Sequence, residues 1–104
     1  MTPSEITQLI AQEIGSDWGH TNAHGVNLRA CLVAPQQRTY FDPMDDARKF
    51  DLWRVLEEHP DTHAGYEIVF DERDRSFGLA TTDQHGRDVF LGSYGTFMET
   101  LDAM

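Results

Sequence analysis

The stretch that decides the fold is Tyr66-Glu67-Ile68-Val69-Phe70-Asp71, then Glu72-Arg73-Asp74-Arg75, then Ser76-Phe77-Gly78-Leu79-Ala80-Thr81. Tyr66, Ile68 and Phe70 alternate with Glu67, Val69 and Asp71, the period of a strand with one buried face. Phe77, Leu79 and Thr81 resume the alternation after a charged run far shorter than a parallel crossover needs, so the two strands pair antiparallel. The charged run itself is a turn. It is not a calcium loop, because Arg73 and Arg75 occupy the third and fifth places, where oxygen ligands belong.

Toward the C-terminus, Asp83-Gln84-His85-Gly86 marks a second turn, and Val89 to Leu91 forms a short last strand. Gly92 and Gly95 then redirect the chain into a helix whose start is the capping box Thr96-Phe97-Met98-Glu99 and whose apolar face is Phe97, Met98, Leu101 and Met104. Toward the N-terminus, Leu28, Ala30, Leu32 and Ala34 alternate with Arg29, Cys31 and Val33, which predicts a strand over 27–34 ending at Pro35. Gln36-Gln37 is a turn into a second short strand, 38–41. Asp42-Pro43-Met44-Asp45 opens a short helical turn at 43–48. Phe50, Leu52, Trp53, Val55 and Leu56 spread around a helical axis instead of gathering on one face, so 50–57 is a strand. Thr2-Pro3-Ser4-Glu5 is a capping box with Pro at the first helical position, and Ile6, Leu9, Ile10 and Ile14 follow at helical spacing over 3–14. Gly15 stops that helix, and 16–25 is an ordered loop.

The class is therefore α+β: an antiparallel sheet of about five or six strands, with an N-terminal helix and a short C-terminal helix, in a single domain over 1–104. The expected core is Ile6, Leu9, Ile10, Leu28, Leu32, Ile68, Phe70, Phe77, Leu79, Phe97 and Leu101. Hydrophobic residues make up 39% of the 104 residues, enough to fill one core. No apolar run approaches the about 18 residues of a membrane span, and the first residues lack a secretory signal, so the expected location is cytoplasmic. One cysteine, Cys31, excludes an internal disulfide.

Eighteen acids against eight bases leave a net charge of −10, which repels phosphate backbones and disfavours nucleic acid and anionic membranes as partners. Residues 42–74 hold eleven of the acids against four bases, a net of −7. That excess is either a solubilising face or a docking face for a basic protein, with Asp42, Asp45, Asp46, Asp51, Trp53, Glu57, Glu58 and Asp61 as the contact residues. In size and charge the chain resembles the small acidic antitoxin and immunity proteins that neutralise basic nuclease toxins. The resemblance rests on no motif, and no functional residue is carried over from it.

Two His-x3-His spacings, His20/His24 and His59/His63, are the alternative chemistry. On a helix each would place two imidazoles on one face for a metal. Here both fall in loops, His59 directly before Pro60, and the simpler reading is polar loop residues, with Glu57 and Glu58 as solvent-facing strand ends. Cys31 lies in mid-strand between Ala30 and Leu32, a setting that favours an inert thiol over a nucleophile. Gly92 to Gly95 has no lysine and is not a phosphate cradle. No cofactor and no metal are expected. The function expected from the sequence is a non-enzymatic acidic binding protein that occludes a basic partner. The alternatives are a small metal-dependent or cysteine-based enzyme, and a small scaffold or regulatory domain forming a homodimer through a strand edge.

Overall fold

A computed structural model describes residues 1–104. Three helices, α1 (Pro3–Ile14), α2 (Leu28–Cys31) and α3 (Phe97–Ala103), accompany five strands: β1 (Leu32–Asp42), β2 (Asp45–His59), β3 (Ala64–Asp71), β4 (Ser76–Thr82) and β5 (Asp88–Gly95). The class is α+β with a helix at each end of the chain, as the sequence predicts. Both capping boxes form: Thr2 and Thr96 accept from the backbone of Glu5 and Glu99, whose side chains accept in return from the cap backbone. Gly15 ends α1 at φ 61°, a conformation that glycine adopts without a Cβ penalty.

The sheet is a meander, β1-β2-β3-β4-β5, that closes into a barrel. Sequential neighbours pair antiparallel, but β1 and β5 meet in parallel, at Phe41 opposite Val89. This corrects the purely antiparallel sheet. In a meander successive strands alternate in direction, so the first and fifth run the same way, and closing an odd number of strands makes one parallel seam.

Four local expectations are also corrected. Residues 28–31 form a helical turn, because the Asn27 side chain accepts hydrogen bonds from the backbone of Arg29 and Ala30. Leu28 and Cys31, three apart, are its buried face, so the alternation over 28–34 coincides with a helix followed by a strand. Gln36-Gln37 is not a turn: β1 runs unbroken from Leu32 to Asp42, and a register shift between Leu32 and Gln36 accommodates Pro35, which has no N–H for a ladder. The helical turn at 43–48 is absent. Asp42 and Asp45 accept from the backbone two residues on, at Met44 and Ala47, and this reverses the chain into β2. Finally, β5 extends through Gly95, whose φ of 102° sits at the bend into α3.

Two apolar clusters fill the molecule. The larger lies outside the barrel, where Ile6, Ile10 and Ile14 of α1, Leu28 and Cys31 of α2, and Phe97 and Leu101 of α3 cover Val55, Leu56, Ile68, Phe70, Phe77 and Leu79. Phe77 meets Phe70 and Phe97 at ring centroid distances of 4.8 and 5.5 Å. Of the expected core, Leu9 and Leu32 are half-buried at its margin and the rest are buried. The smaller cluster fills the barrel: Tyr40, Leu52, Val69 and Ala80, with Phe50 and Phe90 against them. Gly78 lies against β5 with no room for a side chain. A Cβ there would collide with the Gly92 carbonyl oxygen and lie 2.8 Å from the Phe90 ring. Gly78→Ala should therefore cost about 1–3 kcal/mol by overpacking, a fall in Tm of about 5–20 °C for a domain of this size. An unchanged Tm in a thermal melt would show that the strands do not meet there.

Candidate functional site

The two faces of β3 explain the site. The alternation predicts Glu67, Val69 and Asp71 on a solvent face, yet Glu67 through Asp71 are all buried. Barrel closure turns that face inward. Each strand then places one polar residue near one mouth of the barrel and an apolar residue two positions further in: Arg38 and Tyr40, Arg54 and Leu52, Glu67 and Val69, Thr82 and Ala80, Asp88 and Phe90. The polar set, joined by His63 and Gly86, lines a cavity of about 320 Å³ that contains no apolar side chain in its wall.

Within the cavity, Arg38 Nη2 donates to Asp88 Oδ2 at 2.8 Å. Arg54 Nη2 donates to Gln36 Oε1 at 2.7 Å, and its Nε lies 2.9 Å from Glu57 Oε1 without the alignment of a hydrogen bond. Glu57 is buried behind these groups, and His63 Nδ1 reaches its Oε2 at 2.7 Å from a left-handed turn conformation at φ 54°. Tyr40, fully buried, donates its hydroxyl to Glu67 Oε1 at 2.7 Å. Both arginines thus have carboxylate partners, whereas Glu67, only 4% exposed, has no cation bonded to it. Burial pushes the Glu67 carboxyl above the usual carboxylate range, opposed by the Tyr40 hydroxyl, and burial together with Glu67 pushes the Tyr40 hydroxyl upward.

The eight residues expected to form one docking face are divided between the barrel's ends. Asp42, Asp45 and Asp46 sit at the β1–β2 reversal, where Asp46 accepts from Arg87 at 2.9 Å and Asp42 lies 3.9 Å from Arg48. Asp51 accepts from the Thr39 hydroxyl on the barrel wall, and beside it Trp53 is half-buried, donating through Nε1 to Glu72 at 3.3 Å. Glu57, Glu58 and Asp61 are at the opposite end. Glu57 is buried, which corrects its placement as a solvent-facing strand end, and Glu58 accepts from the Tyr66 backbone.

The histidines do not form a common set, and no group of three or more His, Cys, Asp or Glu side chains is placed to hold a metal ion. His20 bonds Asp102 at 2.7 Å, which holds its pKa above the ordinary value. His24 and His59 are exposed. Cys31, in α2 and not in mid-strand, is buried in the outer core, with its thiol donating to the Glu58 carbonyl at 3.6 Å. Sequence reasoning missed the charged barrel mouth. The available signal was the placement of Arg38, Arg54, Glu67 and Asp88 two positions from large apolar residues in strands.

No protein-family model, curated protein or solved structure matches the chain.

Because burial raises the folded-state pKa of Glu67 above its unfolded value of about 4.5, the folded state holds that proton more tightly. Stability from this group is present at low pH and is lost as pH rises through the folded value. Glu67→Gln keeps an acceptor for Tyr40 and removes the ionisation. Urea unfolding across pH 4–8 should show wild type losing ground to the variant as pH rises above 4.5. Parallel curves would mean that Glu67 ionises as freely in the barrel as in water.

Proposed function

We propose that this chain is a non-enzymatic acidic binding protein that occludes a basic protein partner, in the manner of an immunity or antitoxin-type inhibitor of a nuclease. The observation that carries the reading is an imbalance in the charge pairing. Five of the seven arginines, Arg38, Arg48, Arg54, Arg73 and Arg87, already lie within ion-pair distance of a carboxylate. Of the surface carboxylates over 42–74, Asp45, Asp51, Glu58, Asp61 and Asp74 have no cation beside them, and all but the half-buried Glu58 are exposed. Surface carboxylates without partners attract a complementary surface, accelerate encounter and select against polyanions. Occlusion is then the mechanism: carboxylates take the lysine and arginine side chains that the partner would otherwise apply to phosphate.

No helix is long and apolar enough to cross a membrane. The residues that support the reading at one end of the barrel are Asp42, Asp45 and Asp46 around Met44, which is 92% exposed at the tip of the β1–β2 reversal. An exposed apolar residue ringed by carboxylates suits a contact whose rim is polar and whose centre excludes water.

The test is affinity capture at low salt, identification of the bound polypeptide, and reconstitution with the purified pair. The expected partner is basic. Its association should slow as salt rises, since exposed charges are screened beyond about 8 Å at physiological ionic strength. The triple reversal of Asp45, Asp46 and Asp51 to Lys should slow it by about tenfold or more at low salt, with a smaller effect on dissociation. An association rate indifferent to both salt and charge reversal would reduce the acidic excess to a solubilising face.

A further inference from the structure

The join that closes the barrel is the least supported one in the sheet. β1 and β2 pair from Leu32 opposite Leu56 to Asp42 opposite Asp45, and β4 and β5 pair from Phe77 opposite Gly95 to Thr82 opposite Asp88. β1 and β5 are joined at one residue pair, Phe41 and Val89, because they overlap only where β1 ends and β5 begins. A cavity flanks that pair on each side along the strands. One is the charged cavity with Arg38 and Asp88 in its wall, and the other, of about 380 Å³, is lined in part by Asp42, Phe50, Phe90 and Leu91. The helical layer does not reinforce the seam either, since the buried residues of the outer core include none from β1 or β5.

Side chains supply what the backbone does not. Arg38 on β1 donates to Asp88 on β5 at 2.8 Å. Arg87, two residues before Val89, donates through Nε to Asp83 of its own turn at 3.3 Å and through Nη1 to Asp46, across the seam at the β1–β2 reversal, at 2.9 Å. Its guanidinium also lies 5.3 Å from the centroid of the Phe41 ring. Inside the barrel the rings of Phe50 and Phe90 meet at 5.2 Å. The Arg87 side chain is 37% exposed and that of Asp46 is 77% exposed, so solvent ions reach this pair and screen it.

We infer that the seam between β1 and β5 is an ion-latched gate, which opens locally while the remaining strands and the helical layer stay folded, with Arg87 as the latch. Local opening starts where backbone pairing is sparse and buried apolar contacts are few, and this seam has one backbone pair and no share in the outer core. Arg87 is fastened to the β4–β5 turn by Asp83, so the bond that must break is the one to Asp46. A cation that takes Asp46 or an anion that takes Arg87 releases the latch, and salt supplies both. Opening uncovers Val89, buried when the seam is closed, and gives access to the inner cluster around Tyr40. Ionic conditions therefore set how often the inner face is reached, whether or not the chain has a protein partner.

Backbone amide hydrogen exchange of the full chain, read by NMR, tests the latch. The readout is the exchange rate of those amides among Phe41, Asp42, Val89 and Phe90 that are protected at low salt, taken relative to Ile68 through Phe70 in β3, so that any effect of salt on global stability cancels. Raising sodium chloride from about 0.05 M to about 1 M should increase that ratio by about two- to tenfold, the range expected for an exposed ion pair. Arg87→Gln should produce the same increase at low salt. Asp46→Ala, at an exposed position whose loss leaves the fold intact, should produce most of it and keeps the test open if the arginine variant fails to fold. Arg29→Gln makes the same charge change at an exposed α2 arginine with no ion pair, and its ratio should match wild type. A ratio unmoved by salt and by both seam variants would overturn the latch, as would an absence of protection at all four amides in low salt. An equal acceleration of the β3 amides would show that the seam opens only by global unfolding, and an equal effect of Arg29→Gln would assign the change to net charge.

Discussion

Closure of a five-stranded meander is the constraint on which the rest of the structure depends. Once β1 meets β5 at Phe41 and Val89, the strands between them acquire an enclosed inner face and, where helices cover them, an enclosed outer face as well. Every inward position must then be apolar or matched. Tyr40, Leu52, Val69 and Ala80 meet the first requirement. Arg38 with Asp88, and Arg54 with Glu57, meet the second, since an isolated buried charge costs several kcal/mol. Glu67 is the residue that meets neither in full: it is buried, and its one protein partner is the Tyr40 hydroxyl.

The helices complete this arrangement by covering the outer faces of β2, β3 and β4. Their ends are held by side chains from distant parts of the chain. Glu13 of α1 accepts from the Phe97 backbone at the start of α3 at 2.8 Å, and Asn22 donates to the Leu101 carbonyl at its end at 2.8 Å. Asn22 also accepts from the backbone of Val26, so one buried amide orders the loop after α1 and docks α3 at once.

What was legible in the sequence was local. The capping boxes at Thr2 and Thr96, the hairpin through Asp71 to Arg75, and the β character of 50–57 follow from signals spanning four to eight residues. Barrel closure is a nonlocal event, and its consequence, that Glu67 and Asp71 point inward, has no signature within β3. The failure at 28–31 has a different cause. Leu28, Ala30 and Leu32 alternate by coincidence, and the deciding group is the Asn27 side chain, whose capping bonds outweigh a strand pattern four residues long. The eight acidic and aromatic contact residues are close in sequence, but the long β1–β2 hairpin separates Asp42 to Asp46 from Glu57 to Asp61 by the length of a strand.

Enclosure of the inner face of the sheet is the property that everything else in the molecule requires, and proton–proton NOEs on the full chain read it directly. A closed barrel predicts NOEs from the Tyr40 ring to the methyl groups of Leu52, Val69 and Ala80, together with a backbone contact between Phe41 and Val89. An open sheet would leave the Tyr40 ring without contacts to Val69 and Ala80, and Phe41 and Val89 with no NOE between them. That result would contradict closure and remove the charged mouth with it.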